Sequence, residues 1–143
     1  MDEAVGLAAG HRPCGYCRVE AYDSFRAAVT RAAGQKEPLT ATDLNRRLSN
    51  ERLAPGRGLD RAKDRLVWIA DVGSLPVGTV IVGANGEPRL VTDDRLLQFT
   101  FDGWKVPIKR PQRGYVRVLT PPTSVAALIH GFSPVIHPAV HLN

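Results

Sequence analysis

Cysteine is nearly absent from this chain: Cys14 and Cys17 are the only two in 143 residues. Two thiols are too few to staple a secreted fold, so a disulfide framework is excluded. Aromatic side chains make up only 6% of the sequence, so the core must be mostly aliphatic. No apolar run approaches the ~20 residues that cross a bilayer, and no membrane partner is expected. The first residues include Asp2 and Glu3 where a signal peptide would be basic, which points to a cytoplasmic protein. Catalytic signatures are missing as well. There is no G-x-S-x-G elbow, no Walker-type loop and no H-E-x-x-H. Asp93-Asp94 reads as a solvated turn. Ser124 and His130 fall on different faces of a short helix, so they do not form a nucleophile–base pair.

What is present is legible as fold. A chain of this length with 43% apolar and 23% charged residues suits one domain, 1–143. Residues 1–65 read as the helical part, 66–120 as a β-meander, and 121–143 as a short helix with an irregular tail. Residues 1–13 carry Gly6, Gly10 and Pro13 and suggest little order. Tyr22, Phe25, Val29 and Ala32 then line one helical face, and Gly34 is a natural stop. Thr40-Ala41-Thr42-Asp43 fits a capping box ahead of Leu44 and Leu48, giving a second helix over roughly 42–53. Pro55-Gly56-Arg57-Gly58 makes a joint.

The meander is spelled out by its turns. Asn85-Gly86, Asp93-Asp94 and Asp102-Gly103 separate runs rich in β-branched and apolar residues. Asn-Gly and Asp-Gly accept the positive φ of tight hairpins. Leu97, Phe99 and Phe101 alternate with Gln98 and Thr100, the period of a half-buried strand. Leu66–Val72 reads as a first strand and Tyr115–Leu119 as a last. Thr120-Pro121-Pro122 opens the closing helix. The class expected is α+β: two N-terminal helices, a small antiparallel meander curled into an SH3-like barrel, and a short C-terminal helix. The alternative is an open antiparallel sheet with helices on one face.

Two stretches carry chemistry. His11-Arg12-Pro13-Cys14-Gly15-Tyr16-Cys17-Arg18 places two thiols at C-x₂-C spacing, which is half of a zinc site. His137 and His141, at H-x₃-H spacing, would complete four ligands only if the chain ends meet. Cys14-Gly15-Tyr16-Cys17 also resembles the active-site tetrapeptide of thioredoxin-fold disulfide isomerases. That resemblance covers four residues and implies thiol redox chemistry; the strand such a fold needs before the motif is not written here.

The second stretch runs from Trp104 to Arg117. Lys105, Lys109, Arg110 and Arg113 would contact phosphate, with Trp104 and Tyr115 stacking on bases. A net charge of +5 and a pI near 9.7 agree with DNA or RNA as partner. The leading expectation is a non-enzymatic nucleic-acid-binding domain with a structural zinc. A thiol redox protein is the second. The third is an assembly module with a protein partner, or the C-terminal part of a larger protein.

Overall fold

The computed structural model describes residues 2–56 and 61–137. His141, and residues 57 and 58 of the expected joint, lie outside them. Helix α1 spans Glu3–Ala8, α2 Val19–Ala32, α3 Ala41–Arg52 and α4 Pro122–Ile129. The strands are β1 Trp68–Asp71, β2 Val80–Val82, β3 Pro88–Val91, β4 Arg95–Thr100, β5 Gly103–Lys109 and β6 Tyr115–Val118. No helix among the described residues is long and apolar enough to cross a membrane.

The class is mixed α+β, and the sheet is open rather than an SH3-like barrel. Its six antiparallel strands run β1-β6-β2-β3-β4-β5. Four of them, β2 to β5, form the expected meander. Gly86 at φ +85 closes the β2–β3 turn, and Val80 sits opposite Leu90. The sequential order then breaks. Strand β6 does not pair with β5. It inserts between β1 and β2, with Ala70 opposite Val116 and Ile81 opposite Val118. A sheet curls shut when edge closure is the way to bury its faces. Here helices cover both faces, so burial does not require closure.

Register assigns the two faces. Val80, Leu90 and Leu97 form one row, which packs with Trp104 against Ala4 and Ala8 of α1. Ile81, Val91, Leu96 and Val118 form the opposite layer, under Val125 of α4 and Val72 and Leu75 of the β1–β2 connection. A helical core completes the molecule. Phe25, Ala28 and Val29 of α2, Leu44 and Leu48 of α3, and Ala127 and Leu128 of α4 meet Leu7 and Phe132. Phe25 and Phe132 contact edge to face at 5.2 Å.

The edge strand β5 carries an extra residue. Leu96 pairs with Ile108 and Gln98 with Lys105, so two intervals on β4 face three on β5. Val106 sits in this bulge at φ +50, a conformation β-branched residues rarely adopt, and Pro107 removes an edge N–H. Both devices discourage pairing with another strand.

The first residues are ordered, contrary to the sequence expectation. Asp2 caps α1 by accepting from the Val5 N–H at 3.0 Å. Its other oxygen accepts from Trp104 Nε1 at 2.5 Å and from the His137 N–H at 3.0 Å. Glu3 adds a reciprocal pair with Val135: Glu3 N donates to Val135 O at 2.8 Å, and Val135 N donates to Glu3 Oε2 at 2.7 Å. The C-terminal segment is therefore strapped to α1.

This predicts that Asp2→Ala costs about 2–4 kcal/mol, from a lost cap and lost charge-assisted bonds, one to a buried indole. Urea unfolding should show the drop, with Trp104 emission moving to longer wavelength. An unchanged midpoint would argue that the strap carries no stability.

Candidate functional site

The C-x₂-C segment forms a tight turn between α1 and α2. Arg18 N donates to Cys14 O at 2.9 Å and closes it. The backbone N–H groups of Tyr16 and Cys17 both point at Cys14 Sγ, each at 3.4 Å. Gly15 serves packing rather than a positive φ: a Cβ there would lie 3.1 Å from the Tyr22 ring. Tyr22 in turn lies under the Arg12 guanidinium at 4.6 Å, which braces the turn against α2.

Both thiols are free and exposed. Their acidities are driven apart. Cys14 is lowered to about 7, chiefly because the Cys17 side chain donates to its sulfur, then through the N–H groups of Cys17 and Tyr16. The positive charge of Arg12 adds to this. Cys17 is pushed up, mainly because it is the donor in that pair. Near neutral pH Cys14 is therefore partly ionised while Cys17 keeps its proton, so the turn holds two thiols of unequal acidity.

A pocket of about 230 Å³ opens beside the pair. Leu7, His11, Arg12 and Pro13 line it with Cys14 and Cys17. Glu3 also reaches it, held by Arg18 at 3.1 Å. Tyr16, between the two cysteines in sequence, is 94% exposed.

The proposed metal set is brought partly together. Cys14 and Cys17 share one turn. His137 lies on the strap that meets α1, with its backbone on Asp2. Among the described residues no group of three or more His, Cys, Asp or Glu side chains gathers where a metal ion would sit.

The basic stretch is dispersed by the fold. Trp104 is only 1% exposed, with its ring 5.4 Å from Phe99 and its N–H on Asp2. It offers no face for a base. Arg110 is a structural clasp: its guanidinium donates to Thr92 O at 2.8 Å, Val72 O at 2.7 Å, Gly73 O at 3.2 Å and Leu75 O at 2.6 Å. Lys105, Lys109, Arg113 and Tyr115 are exposed, Tyr115 by 85%. Lys105 and Lys109 lie on β5 while Tyr115 lies on β6, and three strands stand between these. In sequence these residues form one continuous stretch, and pairing of β6 with β1 and β2 divides it.

Sequence reading also missed Arg12 and Pro13 as walls of the thiol pocket. Their signal was adjacency to Cys14. Leu7 enters from α1, whose Ala4-Leu7-Ala8 spacing was the sign that this segment is a helix.

Two outcomes follow. Alkylation of Cys14 by iodoacetamide should rise through a midpoint near pH 7, because only the thiolate reacts. Removing the Cys17 donor in Cys17→Ala should move that midpoint upward; a midpoint at the ordinary thiol value in the parent would refute the thiolate cradle. Arg110→Ala should cost about 2–4 kcal/mol through buried carbonyls left without a donor, whereas Arg113→Ala should stay within about 0.5 kcal/mol, as exposed sites do. Equal effects in chemical denaturation would contradict the assignment of Arg110 as a clasp. No protein-family model matches this chain, and no curated protein or solved structure matches it either.

Proposed function

We propose that this protein is a thiol–disulfide exchange protein acting through Cys14 and Cys17. The observation that carries this reading is the asymmetric turn: Cys14 Sγ receives two backbone N–H groups, and Cys17 lies beside it as a proton-bearing thiol. The helix α2 that follows directs its positive end toward the turn, which further favours a thiolate.

The reaction balances with these two residues and a disulfide substrate. Cys14 thiolate attacks one sulfur of the substrate. A Cys14–substrate disulfide forms, the substrate S–S bond breaks, and the second sulfur leaves with the electron pair as thiolate. Cys17 gives its proton to that leaving thiolate. Its own thiolate then attacks Cys14 Sγ and displaces the first half of the substrate. The substrate gains two electrons and leaves as one thiol and one thiolate, the latter taking its proton from water, while the protein gains the Cys14–Cys17 bond. The same steps in reverse pass the disulfide to a substrate dithiol. Leu7 and Pro13 supply an apolar wall, and Tyr16 an exposed aromatic contact.

A second reading uses the same thiols as zinc ligands. It draws on the strap, which brings His137 to the helix that borders Cys17 through Glu3 and Arg18. Cys14 and Cys17 would give two of the four donors of a closed site, with His137 and His141 as the other two. A bound zinc ion would fix the turn and tie the chain ends.

One experiment separates them. The reduced, metal-analysed protein is treated with cystamine, and the products are read by mass spectrometry. The expected result is an internal disulfide in the parent, a trapped mixed disulfide on Cys14 in Cys17→Ala, and neither in Cys14→Ser. Near-stoichiometric zinc that is lost in both Cys14→Ser and His137→Ala, with no reaction toward cystamine, would overturn the exchange reading in favour of the metal.

A further inference from the structure

A second hollow adjoins the thiol pocket, and its chemistry is different. It measures about 330 Å³ and is lined by Gly10, His11, Arg12, Asn45, Ser49 and Arg52. His11 and Arg12 belong to both hollows, so the two lie side by side.

One wall is α3. Asn45, Ser49 and Arg52 stand at i, i+4 and i+7, a single helical face, while Leu44 and Leu48 of the same helix enter the core. The other wall is the loop after α1. A Cβ at Gly10 would lie 2.4 Å from Arg52 Cδ, so the arginine stem passes only because that residue is glycine.

The cations are held in place without being neutralised. Arg52 donates to Ala9 O at 2.6 Å, and Arg12 Nε donates to Asn45 Oδ1 at 2.9 Å. Neither forms an ion pair among the described residues, and no Asp or Glu lines the hollow. Arg52 Nε has no acceptor there. Burial, and after it the nearby Arg52 charge, weakens the hold of Arg65 on its proton, and Arg65 too donates to carbonyls, those of Ala8 and Leu119. Two guanidiniums, a hydroxyl and a carboxamide around one polar hollow are the donor set that carboxylates select.

We propose that this hollow is the anion subsite of the Cys14 centre, holding the carboxylate of a small disulfide while its sulfur lies at Cys14. The inference rests on the exchange reading for its substrate. The two hollows together match the ~300–1,000 Å³ of small-molecule sites. A substrate of this class is a peptide-sized disulfide with a carboxylate within a few bonds of sulfur, oxidised glutathione being a usable probe.

The test compares two alkylating agents on Cys14 in the Cys17→Ala background. Iodoacetate is an anion and iodoacetamide is neutral, and both consume the same thiolate. The ratio of their rate constants therefore cancels any change in thiol acidity. At low ionic strength Arg52→Gln should lower that ratio about threefold or more, the scale of one unit charge acting across a partly solvated gap. Ser49→Asp, at an exposed helix position where folding is not at stake, should lower it at least as much. Salt at about 0.5 M should bring the parent down toward the variants. A ratio unmoved by both substitutions overturns the subsite.

The exchange reading is judged separately with cystamine, which carries no carboxylate. Reaction with cystamine, together with a preference for oxidised glutathione that Arg52→Gln removes, supports both. Reaction with cystamine but no such preference keeps the exchange chemistry and overturns the subsite. Failure with cystamine and a charge-dependent alkylation ratio overturns the exchange reading and keeps the anion subsite.

Discussion

The Asp2 carboxylate is the point on which the arrangement of this molecule turns. One oxygen starts α1, and the other receives the buried indole of Trp104 and the backbone of His137. Without it α1 is six residues long and too short to persist alone. With it, α1 is pinned on the sheet, and Ala4 and Ala8 cover the Val80-Leu90-Leu97 row. The thiol turn begins a few residues beyond the end of that helix. Its position relative to α2 and α3 therefore depends on a contact made at the extreme N-terminus.

Arginine is used here mainly as a fastener. Arg26 holds Leu39 O, Arg31 holds His130 O, Arg61 holds Ala54 O, and Arg110 gathers four carbonyls at one end of the sheet. A guanidinium has five donors and no acceptor, so it suits places where several backbone carbonyls converge without strand partners. A chain that spends arginines this way owes part of its high pI to cations tied to its own backbone. The charge excess by itself therefore does not single out a polyanionic partner. Arg52 of α3 and the neighbouring Arg12 likewise rest on uncharged acceptors, and these two line the hollow beside the thiol turn.

The thiol site shows how a short motif gains chemistry from its frame. Any C-x₂-C pair can bring two sulfurs together. Here the 14–18 turn aims two N–H dipoles at one sulfur only, and the second sulfur supplies a third donor. The result is two thiols of unequal acidity within one turn, which spacing alone would not produce.

The sequence by itself determined the local pieces: α2 through its Phe25–Val29 face, α3 through the Thr40 cap, the β2–β5 meander through its turn residues, and the Cys14–Cys17 pair as the one chemical motif. Each of these is set by neighbours within a few positions, where propensity, capping and period act directly. What only the tertiary structure decided is long-range. The open sheet, the insertion of β6 beside β1 and β2, the burial of Trp104 and the strap from Asp2 to His137 all join residues between about 35 and 135 positions apart. No spacing rule reaches that far, because such contacts are selected by which apolar faces remain uncovered once the local elements have formed.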